Sequence, residues 1–530
     1  MAVLTIQEVS AHNSESDCWI AIHGKVYNVT SFLKDHPGGK RILLKVAGTD
    51  ASKEFEKFHS AAVLPKFGPS LYVADLASIF PVAKKEASNA IFTNAPGLGL
   101  FGDGAPFAQP AWYQDTFSPY YKDSHRRLRN WVRQWIAENR WADKSDAWEE
   151  VVRSNRKPDE EAFTSMGIAG LTRGITGRIA WKKQPYPNIP DLPCGIAEDE
   201  FDYFHCLILW DELSATPLIS VNNSQPYGIV PVMRFAKPAL RERVVPKILR
   251  GEETMAIAIT EPGAGSDVSN ISATATLSED GKHFIINGEK KWITNGVWAD
   301  WLMTAVRTGG PGAGGITLLL VPRGPGLTTR PMETMGGILS GTAFVTFDNV
   351  KCPVENVLGE VNNGFKALLS NFNHERWTII VSAVRNARRC YSEALHYAHR
   401  RQTFGKNLID HPIIRDKFAQ MVRQIESTAT WLESATYQLN NMRPEIIPER
   451  MGATLALLKV QATKTFEFCA REAAQIMGGI AVTKGGTGGT VEKLYRGVRA
   501  SAIAGGSEEV MGDFGMRQSL KVAKAMGVKL

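Results

Sequence analysis

The chain has 530 residues, 44% hydrophobic, 22% charged and 9% aromatic, with a net charge of +7 from 61 basic and 54 acidic side chains. At roughly 150 residues per domain, that length predicts three to four domains, and the composition excludes a largely disordered or fibrous protein. The basic residues form no long block, so nucleic acid is not implied as a partner.

The six cysteines, Cys18, Cys194, Cys206, Cys352, Cys390 and Cys469, include no C-x-x-C pair. That argues against a disulfide framework or a zinc site and fits a reducing compartment. The opening MAVLTIQEVSAHNSESDCW has neither the layout of a secretory signal nor the bias of a mitochondrial presequence. No apolar run reaches the roughly 18 to 20 residues that a bilayer requires. The expectation is an intracellular, soluble protein without a transmembrane segment, cytoplasmic or peroxisomal rather than mitochondrial. Val528-Lys529-Leu530 shares Lys-Leu with a peroxisomal address but puts a β-branched residue where a small one belongs.

In chain order, residues 1–80 read as a compact mixed segment and 81–110, rich in Ala, Gly and Pro, as a linker. Apolar residues three and four apart, as in WYQDTFSPYYKDSHRRLRNWVRQWIAENRW and FDYFHCLILWDELSA, predict helices over 111–253. MAIAIT, ATATL, HFIINGEKKWITNG, WLMTAV, ITLLLVP and TAFVTFDNV, separated by Gly, Pro, Asn and Asp, predict a β-domain over 254–360. Long amphipathic stretches over 361–530 predict a helical bundle.

His36 in DHPGGK and His59 in FEKFHS each border an apolar segment. Haem iron takes two axial imidazoles on opposite faces, and the Pro37-Gly38-Gly39 turn would fix the backbone without crowding the first ring. Taken alone, the pair also fits one polar-turn histidine and one surface histidine. The whole segment DCWIAIHGKVYNVTSFLKDHPGGKRILLKVAGTDASKEFEKFHS, however, resembles the haem-binding segment of the cytochrome b5 family over residues 3 to about 77. That resemblance implies a small α+β domain with His36 and His59 as the bis-imidazole ligands of haem b. With both iron positions filled by protein, the role implied is one-electron transfer rather than oxygen activation.

Gly97-Leu98-Gly99-Leu100-Phe101-Gly102 matches G-x-G-x-x-G, but no strand precedes it and no acidic ribose partner follows, so it reads as linker. Thr260-Glu261-Pro262-Gly263-Ala264-Gly265-Ser266-Asp267 carries more: alternate glycines admit close backbone N–H groups and the hydroxyls are short donors. Further on, Lys291-Trp292-Ile293-Thr294-Asn295-Gly296 offers a flat indole suited to a planar ring, or a core tryptophan beside a hairpin turn. Together with Arg401-Gln402-Thr403-Phe404-Gly405-Lys406 and Gln475-Ile476-Met477-Gly478-Gly479, these motifs are similar in order and spacing to the acyl-CoA dehydrogenase family, from about 111 to 525.

The resemblance implies a helical domain, a middle β-barrel or sandwich domain and a C-terminal four-helix bundle, with FAD bound between subunits of a homotetramer or homodimer. It implies that Thr260, Ser266, Trp292 and Thr294 bind FAD within a subunit, that Arg401, Thr403, Phe404, Gln475 and Gly479 reach it from the neighbouring one, and that Gly265 and Ser507 also belong to the FAD site. Ser266 and Arg376 correspond to positions that meet the acyl-CoA substrate.

The family's reaction removes a proton beside a thioester carbonyl while hydride leaves the β-carbon for flavin N5, giving a 2-enoyl-CoA. It needs a shielded carboxylate of raised pKa. Most members carry that Glu in a Y-E-G-T-S-E stretch, where this chain has Ala504-Gly505-Gly506-Ser507-Glu508-Glu509 and hence glycine at the base position. The isovaleryl-CoA and long-chain type carries it on an earlier helix in an E-R-L setting, where this chain has Glu375-Arg376-Trp377. The complementary pattern points to Glu375. The fused haem module suggests that electrons pass from FAD to haem and then to an external acceptor that the sequence does not identify. Two other readings stand: a flavin oxidase of the same fold, acting on an acyl-CoA or a nitroalkane with O2, and a haem electron-transfer scaffold lacking a base.

Overall fold

The first sheet is built on two central strands with mostly buried apolar residues, Asp17–Ile22 and Lys25–Asn28. The computed structural model describes residues 3–59, 63–76, 101–114, 116–182, 186 and 188–528, in two compact units: 1–102 with 393–416 and 473–492, and 103–392 with 417–472 and 493–530. Most of the 81–110 linker, Gly97–Leu100 of the glycine pattern and the final Lys529-Leu530 lie outside the described residues.

In the first unit a five-stranded sheet runs in the order Val3–Leu4, Tyr72–Leu76, Lys25–Asn28, Asp17–Ile22, Asn13–Ser14. Cys18, Ile20, Ile22, Tyr27, Val29, Leu33 and Leu43 form its core. Thr5 and Glu8 close a reciprocal cap on helix Ile6–Ser10, satisfying donors that the first turn would leave free. Helices Lys40–Lys45, Ser52–Phe58 and Val63–Leu71 complete the domain.

In the second unit the first long helix is Asp123–Glu138. It starts later than the periodicity of 111–140 suggests, because Pro119 lacks an N–H and drives its predecessor out of helical geometry. The end of the stretch expected as a linker is partly packed: Ala108 and Gln109 are buried, Gln109 Oε1 accepts from Arg133 (3.1 Å) and Arg385 (3.2 Å), and Arg388 donates to Phe107 O (2.8 Å). The strap adds acceptors to guanidinium groups that also pair with Glu212, Asp211 and Glu426. Helix Tyr203–Leu213 is capped by Asp202, whose Oδ1 accepts from Phe204 N (2.9 Å) and His205 N (3.1 Å).

The middle sheet has seven strands, ordered Ile316–Pro322, Trp301–Arg307, Thr274–Leu277, His283–Ile293, Ala343–Pro353, Leu327–Pro331, with Met255–Ala258 added in parallel to Trp301–Arg307. Helices Phe372–Arg400, Pro412–Asn441, Ile447–Met477, Gly489–Ile503 and Glu508–Ala525 follow. None of the described helices is long and apolar enough to cross a membrane.

Helix Glu161–Ile168 and the turn after helix Pro238–Leu249 approach through reciprocal glycines. A Cβ on Gly167 would lie 2.1 Å from Arg250 O, and one on Gly251, at φ +72°, 2.1 Å from Phe163 O. Gly251→Ala therefore combines overpacking with a left-handed penalty, together about 3 kcal/mol. The unfolding midpoint followed by circular dichroism should fall by about 5 °C or more.

Candidate functional site

Carbonyl acceptors orient His36 and His59 in the first unit. His36 Nδ1 donates to Gly39 O (3.3 Å) and His59 Nδ1 to Phe55 O (3.2 Å), which leaves each Nε2 free to ligate. A Cβ on Gly38 would stand 2.9 Å from His36 Cε1, so a side chain there would push on the first ring. The two ring centres are 5.9 Å apart. Metal–nitrogen bonds of about 2 Å on opposite sides of one iron place ring centres about 6 Å apart, so the pair fits haem without rearrangement. Phe55 stacks on His59 at 4.6 Å and Phe32 meets His36 edge-on at 5.9 Å, giving the crevice an apolar lining.

The second unit holds a second histidine cluster: His125, His205 and Asp202 have ligand atoms within 4.8 Å of one another. His125 Nδ1 accepts from Lys122 N (2.8 Å), so Nε2 carries the ring proton and donates it to Asp202 Oδ1 (3.0 Å). A protonated Nε2 is a hydrogen-bond donor and not a metal ligand. The two imidazoles hold Asp202 well below the usual carboxylate range, and the cluster serves as a helix cap.

The EPGAGSD loop and the KKWITNG turn meet on the middle sheet through Lys291 N, which donates to Thr260 O (2.8 Å). Behind them, buried Glu261 accepts from Ser272 N (2.6 Å), Ser272 Oγ (2.7 Å), Ala273 N (3.0 Å) and Lys290 Nζ (2.8 Å). Lys290 also donates to Ile259 O (2.8 Å), and burial pushes its ammonium down to about 8. The loop is thus fixed from beneath while Gly265 and Ser266 stay exposed at its rim. Trp292 sits at φ +59°, half exposed at 50%, with Thr294 partly buried next to it. A strained backbone that presents an indole to the outside fits a planar ring lying on it. Asn295, also at φ +59°, ties the turn to the helical segment by accepting from Ser224 N (2.8 Å) and donating to Ser340 O (2.9 Å).

In the first unit, Gln402–Thr403 and Lys406–Asn407 form a two-stranded turn. Phe404 at its tip has φ +49° and is 97% exposed. Arg401 is exposed as well, and Thr403 Oγ1 lies 3.0 Å from His411 Nε2. Gln475 and Gly479 are exposed at the end of helix Ile447–Met477. An aromatic side chain held outward in left-handed geometry suits contact beyond its own subunit.

Glu375 lies in the first turn of helix Phe372–Arg400. A Cβ built on Gly505, at φ +69°, would stand 4.0 Å from Glu375 Oε1 and 2.9 Å from Ile379 Cδ1. The two alternative base positions therefore address the same space. Glu375 is partly accessible, yet burial pushes its carboxyl up to about 7 against the opposing charges of Arg376 and Lys459. Its neighbour His374 donates from Nε2 to Ile175 O (3.1 Å) and is pushed down to about 4 by burial, so it adds no charge at neutral pH.

Arg376 is buried, with Nε donating to Gly505 O (3.3 Å) and its guanidinium 5.2 Å from the Phe514 ring. Ser507 caps helix Glu508–Ala525 by accepting from Val510 N. Glu508 faces Thr463 Oγ1 (3.0 Å) and Arg499 (3.6 Å). Sequence reasoning missed Lys459 and the Glu261–Lys290 pair. The signal for Lys459 was a lone cation on the apolar face of GATLALLKVQATKTF.

The family model described as "Acyl-CoA dehydrogenase, middle domain" matches residues 256–350, "Acyl-CoA dehydrogenase, C-terminal domain" matches 362–520, and "Cytochrome b5-like Heme/Steroid binding domain" matches 5–77. An acyl-CoA dehydrogenase of Emericella nidulans is 38% identical over 436 residues, covering 80% of this chain and 97% of its own. One from Alternaria alternata is 37% identical, covering 80% and 97%. The crystal structure of acyl-CoA dehydrogenase from Geobacillus kaustophilus superposes with a TM-score of 0.66 at 26% identity, covering 76% of this chain and all of that one. Four motifs, a shielded carboxyl and a bis-histidine crevice thus come together in one polypeptide: the chain belongs to the acyl-CoA dehydrogenase family, a flavoprotein enzyme that binds FAD, with a haem-binding cytochrome b5-like domain ahead of it.

Proposed function

We propose that this protein α,β-dehydrogenates an acyl-CoA thioester with Glu375 as the base, and that the electrons leave through its own haem domain. The observation that carries the reading is the Glu375 carboxyl, which makes no hydrogen bond or ion pair among the described residues and lies 4.0 Å from where a Gly505 side chain would begin. Bound FAD supplies the hydride acceptor, and bound haem a one-electron carrier. Thr260, Gly265, Ser266, Trp292, Thr294 and Ser507 would hold the flavin within a subunit, and Arg401, Thr403, Phe404, Gln475 and Gly479 would reach it in a homotetramer or homodimer. Ser266 and Arg376 would meet the substrate. His36 and His59 would hold the iron.

The base works only when ionised. With its pKa pushed up to about 7, Glu375 combines an ionised fraction at neutral pH with enough basicity to take a proton from an acidified carbon. The rate of flavin bleaching should therefore fall as pH drops through 7. Butyryl-, octanoyl- and isovaleryl-CoA, mixed anaerobically with the enzyme, give the rate and the preferred chain.

Glu375→Gln should keep flavin but slow bleaching by 10²-fold or more. Adding Gly505→Glu to that variant should restore part of the rate, since the new carboxylate enters the same space; bleaching undiminished in Glu375→Gln would refute the assignment. In the wild-type protein, acyl-CoA should reduce the haem without added acceptor, read by stopped flow. A haem that stays oxidised while flavin bleaches ends the electron route proposed.

His36→Ala or His59→Ala should each abolish the bis-imidazole haem spectrum while leaving flavin bleaching intact. Retention of that spectrum in either variant would rule out the residue as a ligand.

A further inference from the structure

Lys459 lies in the middle of helix Ile447–Met477 with no exposed surface. A buried ammonium needs acceptors for its protons. It finds two of them in one turn, donating to Ala502 O (2.5 Å) and Gly506 O (2.8 Å). Those carbonyls bracket Gly505, and Arg376 Nε donates to Gly505 O itself (3.3 Å). Two cations thus hold the end of helix Gly489–Ile503, where carbonyls lack intrahelical donors and the helix dipole is negative.

The groups that face this ammonium are Glu508, Arg376, Glu375 and Arg499. Glu508 is engaged by Thr463 and Arg499. The other carboxyl within reach of its field is Glu375, which Arg376 and Lys459 both push toward the ionised form. Tyr227 feels Glu375 from another side, its hydroxyl 2.6 Å from Thr378 Oγ1.

We propose that Lys459 is a positioning residue for the dehydrogenation: through Ala502 O and Gly506 O it fixes the turn that leaves room beside Gly505 for the Glu375 carboxyl, and its charge favours the ionised base. The inference rests on the reading of Glu375 as the base. Lys459 touches neither substrate nor flavin in this role. It acts by holding one wall of the space in which the carboxyl stands and by supplying positive potential where water is scarce.

Two variants separate geometry from charge. Lys459→Gln keeps N–H donors for the two carbonyls and removes the charge; Lys459→Met removes both. Flavin bleaching by the fastest of butyryl-, octanoyl- and isovaleryl-CoA is followed anaerobically from pH 5 to 9 for the wild type, both variants and Glu375→Gln. In both Lys459 variants the acid limb should move up by about one pH unit, because a favourable charge is gone. In Lys459→Met the plateau at high pH should also fall at least tenfold, as the turn loosens, and Lys459→Gln should recover most of it.

If Glu375→Gln stops bleaching while both Lys459 variants keep the wild-type limb, the positioning role is overturned and the base stands. If Glu375→Gln bleaches like the wild type, the base reading itself fails. Should Lys459→Met lose flavin, Lys459→Gln alone decides the matter by its limb.

Discussion

A carboxyl group taken out of water without a partner is costly, and the helical half of this molecule is organised around one. Burial raises the proton affinity of Glu375, while Arg376 and Lys459 lower it from two different helices. The balance settles at about 7, where a carboxylate is both populated and basic. Either influence alone would spoil the site. Full desolvation would keep the acid protonated at neutral pH, and a direct ion pair would hold it ionised but too weak a base. Charges that act through space without a hydrogen bond to the carboxyl give the intermediate condition.

The EPGAGSD loop uses a buried charge in the opposite way. Glu261 is fully engaged, by Lys290 and three donors from Ser272 and Ala273, and its carboxyl lies below its ordinary range. Breaking such a pair from one side would leave an uncompensated buried ion. This satisfied carboxylate is a strut, and the unsatisfied one is the base in the function we propose. The haem crevice needs no charge: two backbone carbonyls set both imidazole orientations, and aromatic contacts fill the rest.

Local signals carried much of this into the sequence. The middle strands read correctly because their runs are bounded by Gly, Pro and Asn. His36 and His59 could be paired from the sequence because the segment around them is similar to the cytochrome b5 family, and the structure brings their rings within 5.9 Å of each other. What stayed hidden was long-range. The guanidinium groups of Arg133, Arg385 and Arg388 recruit residues 107–109 from an apparent linker, whereas the late start of the first long helix had a local signal in Pro119 that the periodicity overrode. Lys459 looks like an ordinary helix cation until the carbonyls of 502 and 506 are placed around it. Such partners are dozens of residues distant, and no window of sequence contains both.

The glycine at 505 and the glutamate at 375 are also linked by more than substitution history. A Cβ at 505 would start 4.0 Å from Glu375 Oε1, so a carboxylate carried on it could approach the Glu375 carboxylate to about 4 Å. Two like charges at that distance repel by about 4 kcal/mol in a medium of intermediate polarity, equivalent to about three pKa units. One proton would then be shared between them, and the pair would take up a second only in acid. At neutral pH the site would hold a half-protonated dyad in place of a single poised base. A chain that carries the base at 375 is therefore under electrostatic pressure to keep 505 uncharged, and the left-handed backbone there makes glycine the residue that satisfies both demands.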